Sequence, residues 1–114
     1  MWTIKDSAAY YDIDKWGDEY FSINADGNIS VTSKENSSKK IDLYKLVKEI
    51  KSRKITSPLI IRFNDILNER INELNIAFQQ AINTYKFNNI YQGVFPIKCN
   101  QQKNFVEKVI EFGS

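Results

Sequence analysis

An α/β fold built around alternating strands and helices is predicted by three observations. Residues 20–32 alternate apolar and polar side chains about an Asp-Gly pair. Three later stretches repeat apolar residues at helical spacing. Short runs rich in apolar residues precede the second and third of those stretches, which is the order expected of a parallel sheet with crossover helices.

Taken in order, the first third reads as β structure and turns. Residues 20–24 and 28–32 each alternate, and Ala25-Asp26-Gly27 lies between them. Asp-Gly between two such runs predicts a hairpin whose two central positions both adopt positive φ. Trp16-Gly17 opens this unit. Tyr10, Tyr11, Trp16, Tyr20 and Phe21 are expected in a core, where aromatic side chains bring the largest apolar area. Residues 32–40 form a polar linker in which Lys39-Lys40 reads as a solvated loop.

Asp42 is placed to cap a helix whose apolar face is Leu43, Leu46, Val47 and Ile50, with Lys51, Arg53 and Lys54 near its negative end. Ser57-Pro58 restarts the chain in extended form. Residues 59–63 read as a buried strand. Asn64 or Asp65 can cap the next helix, whose face runs through Ile66, Leu67, Arg70, Ile71, Leu74, Phe78 and Ile82 until Asn88-Asn89 breaks the pattern. Residues 90–100 predict a second buried strand. Asn100 is a suitable cap for a last helix with Phe105, Val106, Val109, Ile110 and Phe112 on its buried stripe and Gly113 at its end. Two strands do not make a comfortable parallel sheet, so the pattern reads as truncated. The expected division is residues 1–40 as β segment and linker and 41–114 as the start of a larger α/β domain.

Composition narrows the chemistry. The 114 residues carry 16 Lys plus Arg against 14 Asp plus Glu, a net charge of +2, with no clustering that would suggest nucleic acid as a partner. The 13 Lys, 16 Ile and 12 Asn follow the bias of an AT-rich coding sequence, so lysine abundance carries no functional weight. No apolar run is long enough to span a membrane, and the start is too acidic for a signal peptide. A cytoplasmic location is expected. One cysteine and no histidine exclude an internal disulfide, the common zinc patterns, and Ser-His-Asp or Cys-His catalysis within this chain.

One position stands out. Lys98 lies at the carboxyl end of the second predicted strand, where α/β folds place their sites. Alternation sets it on the face of Val94 and Pro96 and sends Phe95, Ile97 and Cys99 towards covering helices. An amine held inside such a sheet loses solvation, which favours the neutral nucleophile that condenses with an aldehyde. The ordinary alternative is a strand-end lysine reaching out to solvent.

The residues around it narrow the choice. Val94-Phe95-Pro96-Ile97-Lys98-Cys99-Asn100-Gln101-Gln102 resembles the cofactor-lysine segment of the biosynthetic arginine decarboxylases. The opening at residues 11–24, with its Tyr11-x-Ile13-x-x-Trp16-Gly17 pattern, and residues 58–67 resemble other parts of that family in the same order. Cys99 stands where Val is common and Phe95 where Tyr is common, and neither change touches the amine. Cys99 is expected to be a small buried hydrophobe.

The resemblance implies several properties. The fold would be a pyridoxal-phosphate-binding (β/α)8 barrel, here represented by its first units. The reaction would convert L-arginine to agmatine and CO2, with Lys98 anchoring pyridoxal 5'-phosphate, which serves as electron sink. Magnesium is a possible additional cofactor of the whole enzyme, and the whole enzyme would be a homo-oligomer. These 114 residues contain no glycine-rich phosphate loop and are expected to be inactive alone. Two other readings stand beside this one. The chain could be a non-catalytic module that self-associates or binds a full-length partner, or part of an ornithine or diaminopimelate decarboxylase.

Overall fold

The computed structural model describes residues 1–113. The chain forms two compact units, Met1–Ile61 and Arg62–Ser114. The division between these compact units falls after residue 61. The physical reason is a short strand and a helix after residue 40 that pack back onto the hairpin.

The first unit begins with helices where β structure and turns were expected. Helix α1 spans Ile4–Tyr10 and α2 spans Ile13–Trp16. A reciprocal cap starts α1: the Asp6 N–H donates to Thr3 Oγ1 at 3.2 Å, and the Thr3 N–H donates to Asp6 Oδ2 at 2.7 Å. That Thr-x-x-Asp spacing was the available sequence signal. Asp12, in the left-handed region at φ 53°, turns the chain into α2. Gly17 then closes the corner. Its N–H donates to the Ile13 carbonyl at 2.7 Å, and a Cβ there would meet that same oxygen at 2.6 Å, so only glycine fits without a shift.

The hairpin forms as expected, with strands β1 (Phe21–Ile23) and β2 (Ile29–Val31) antiparallel and Phe21 opposite Val31. Its turn differs from the expected one. The Gly27 N–H donates to the Asn24 carbonyl and Gly27 alone has positive φ, at 80°, which makes a three-residue loop with a bulge at the glycine. A third strand, β3 (Ile41–Asp42), pairs antiparallel with β2, giving sheet order β1-β2-β3. Two residues of strand running straight into a helix leave no alternation to read.

Helix α3 (Leu43–Ser52) starts at Asp42, as expected. The Lys45 N–H donates to Asp42 Oδ1 at 3.0 Å. The register Ser30 opposite Asp42 also brings the carboxylate to the hairpin loop, where Asn24 Nδ2 and Asn28 Nδ2 donate to Oδ2 at 2.9 and 3.0 Å. One carboxylate therefore ties loop, sheet and helix together. The Asn28 amide, the Lys45 N–H, the Asn24 amide and the Lys45 charge hold its pKa down at about 2, from an ordinary 3.8. A depressed carboxylate contributes stability that is complete above its unfolded pKa and lost as pH falls through its folded one. We expect the wild-type melting temperature to fall between pH 4 and pH 2, and Asp42→Asn to show a smaller fall over that window and a melting temperature several degrees lower at pH 7. Parallel losses for the two proteins would refute this assignment.

The core of this unit is small. Ile13, Tyr20 and Val31 are at most 3% exposed. Tyr10, Tyr11 and Trp16, expected in the core, are exposed. The indole of Trp16 hydrogen-bonds the Tyr11 carbonyl at 2.9 Å, and Tyr10 stands edge-on to Trp2 and Tyr11. The ring of Trp16 packs on Phe21, so these aromatics pair with near neighbours at the surface.

The second unit consists of α4 (Asn64–Tyr85), a one-turn 3-10 helix (Ile97–Cys99) and α5 (Lys103–Gly113), with α4 packed on α5. Neither expected strand forms: residues 59–63 and 90–96 join no β ladder among the described residues. A helix satisfies its backbone from within, whereas a strand needs a neighbour. Helix α4 starts at Asn64 without a side-chain cap, so neither Asn64 nor Asp65 plays the expected role. Asn100 lies three residues ahead of α5 and accepts from the Gln102 N–H at 3.2 Å, a turn that leads into the helix rather than its cap. No helix among the described residues is long and apolar enough to cross a membrane.

Candidate functional site

The Lys98 segment is held by aromatic contacts on either side of an irregular stretch. Tyr91 stacks on Phe78 of α4 with ring centroids 3.9 Å apart and 2° between planes. Phe95 packs on Phe105 of α5 at 5.5 Å. The chain between them lies along an apolar groove of about 580 Å3 within the second unit, lined on the helix side by residues such as Leu67, Ile71, Val106 and Val109. Val94, Phe95 and Ile97 face it as well. The expected alternation therefore survives for Phe95 and Ile97, but Val94 joins them on the same groove.

Lys98 itself sits in the 3-10 turn and is exposed. It has no hydrogen-bond or ion-pair partner among the described residues. It does not lie at the end of a buried strand, because no strand forms there. Cys99, expected to be buried, is exposed for the same reason: the turn lifts it off the helices that were to cover it.

Sequence reading missed one buried charge. Arg70 lies along the groove with Leu67, Ile71 and Leu74, as its place on the helix face implies, but it is exposed and pairs with Glu73 at 2.8 Å, while Glu69, which was not singled out, is 6% exposed. The signal was present in the spacing, since Glu69 is three residues after Ile66 and therefore adjacent to it on the helix.

Comparison with known proteins settles which relatives the chain has. A biosynthetic arginine decarboxylase of Prochlorococcus marinus strain MIT 9215 is 72% identical over 113 residues, covering 99% of this chain. This chain matches biosynthetic arginine decarboxylases throughout its length. The decarboxylase of strain AS9601 is 69% identical over all 114 residues, and that of strain MIT 9303 is 49% identical over 112. The resemblance carried by the Lys98 segment, residues 11–24 and residues 58–67 is thus borne out across the chain. The chain spans 17–18% of the length of these decarboxylases. No family model matches it.

Arginine decarboxylases as a class imply pyridoxal phosphate, and the residues present do not fit that group. Lys98 supplies an amine. A phosphate needs convergent N–H groups or unpaired cations, but the groove is apolar and Arg70, the one cation lining it, is already paired. Nor do three His, Cys, Asp or Glu gather anywhere among the described residues in a way that could hold a metal.

Proposed function

We propose that this chain is the N-terminal part of a biosynthetic arginine decarboxylase, a lyase that converts L-arginine to agmatine and CO2. In this reading residues 41–114 begin a (β/α)8 barrel, Lys98 is the amine that anchors pyridoxal phosphate, and the whole enzyme is a cytoplasmic homo-oligomer without a nucleic-acid or membrane partner. The observation that carries the proposal is 72% identity over 99% of the chain to a protein of that name. The names of the relatives favour arginine over ornithine or diaminopimelate.

The overall chemistry is the exchange of a carboxylate for a proton. The bond from Cα to the carboxylate breaks, CO2 leaves, and a proton takes its place on Cα. These 114 residues do not by themselves build the cofactor's surroundings. The test uses the polypeptide encoded when the reading frame is followed beyond this chain. Supplied with pyridoxal phosphate, it is expected to release agmatine and CO2 from L-arginine with a preference of roughly a hundredfold or more over L-ornithine and diaminopimelate. Preference for either competitor would overturn the substrate.

A further inference from the structure

We infer that these 114 residues carry the cofactor amine without the cofactor's cradle, so that Lys98 becomes a selective site only when polypeptide outside them completes it. The inference rests on the proposed function and concerns what that site requires.

Four observations carry it. Lys98 is exposed and unpartnered among the described residues, so its amine has the freedom of a surface lysine rather than the fixed position of a cofactor anchor. The groove beside its segment is apolar, and a phosphate or a pyridine ring nitrogen would find no charged partner there beyond Arg70, which Glu73 already holds. The other paired cations of this unit, Lys103 and Lys108, engage Glu107 and Glu111 on their own helix. Finally, residues 91–95 make no backbone hydrogen bond among the described residues, although they lead directly to Lys98. Open backbone of this kind is what a neighbouring strand pairs with. Such a strand would also convert the approach to Lys98 from an irregular stretch into the buried strand that the sequence predicts.

Reductive labelling tests this directly. Pyridoxal phosphate condenses with a lysine amine with loss of water, and borohydride then adds hydride and fixes the linkage, which peptide mass spectrometry maps. In the isolated chain, Lys98 is expected to label within about threefold of the exposed Lys86 and Lys103, a difference below the 1.4 kcal/mol that a tenfold preference represents. In the longer polypeptide, Lys98 is expected to dominate by more than about tenfold. Dominance of Lys98 in the isolated chain would overturn the inference and leave the proposed function standing. Dominance of a different lysine in the longer polypeptide would instead overturn the assignment of Lys98. Equal labelling in both proteins would show that the added polypeptide does not complete the site, and so would also refute the inference.

Discussion

Replacing Lys98 with alanine is expected to lower the longer polypeptide's kcat/KM for L-arginine by at least roughly a thousandfold, and to leave the thermal stability of the 114-residue chain almost unchanged. The two halves of this expectation have separate causes. The amine is the only group in this chain assigned to the cofactor, and alanine removes it outright. In the structure the same side chain is exposed and makes no hydrogen bond or ion pair among the described residues, so its loss leaves no unpaired partner and no cavity. Surface substitutions of that kind stay within about 0.5 kcal/mol. Lys98→Arg separates charge from nucleophilicity. It keeps the positive charge but lacks an amine that deprotonates in proteins, and it is expected to be as inactive as Lys98→Ala. Lys103→Ala, a nearby exposed lysine, is expected to remain active. Retention of activity within about tenfold by Lys98→Ala would end the assignment, since loss of a covalent anchor cannot be so mild.

Ile13→Ala is expected to be the most destabilising single change in the first unit. Ile13 is 1% exposed and is one of three apolar side chains buried in that unit. Truncating a buried isoleucine costs about 2–5 kcal/mol, because the lost transfer energy is joined by the cavity left behind. A unit of this size holds little stability in reserve. The variant should therefore populate unfolded first unit near room temperature. Both tryptophans, Trp2 and Trp16, lie in this unit, so the midpoint of a urea or thermal transition followed by tryptophan fluorescence reads it. Ile110→Ala is the control. Ile110 is 66% exposed, and its truncation is expected to leave the tryptophan transition in place. An Ile13→Ala midpoint as little shifted as that of the control would show that this side chain does not hold the unit together.

Helices and local turns could be read because their causes lie within a few residues of one another. The face Leu43, Leu46, Val47 and Ile50 marks α3, and a carboxylate one residue earlier caps it. The stripe of α5 through Phe105, Val106, Val109 and Phe112 is half-buried as its spacing implies, while Ile110 edges the same groove but is 66% exposed. The hairpin was visible from Asp26-Gly27, although the loop uses one positive φ instead of two. Helices α1 and α2 stand where β structure and turns were expected; their one local sequence signal is the reciprocal cap between Thr3 and Asp6, in helices too short to show an apolar period. The buried Glu69 of α4 was not singled out, because the face read from the spacing follows the apolar residues and a carboxylate does not mark it.

The sequence by itself determined helices α3, α4 and α5, the hairpin, the Asp42 cap and the position of the candidate amine, because each depends on neighbours within about one helical turn or one hairpin. It also carried the resemblance to arginine decarboxylases, which the comparisons bear out along the chain. Only the tertiary structure decided the rest. It added β3 to the sheet and gave Asp42 its second and third hydrogen bonds, both set by a register between residues far apart in sequence. It left residues 59–63 and 90–96 without a ladder, because apolar, β-branched sequence creates the tendency to form a strand but only a neighbouring strand satisfies its backbone. Lys98 is exposed for that same reason: its place in the chain was legible, while its surroundings depend on what pairs with the residues before it.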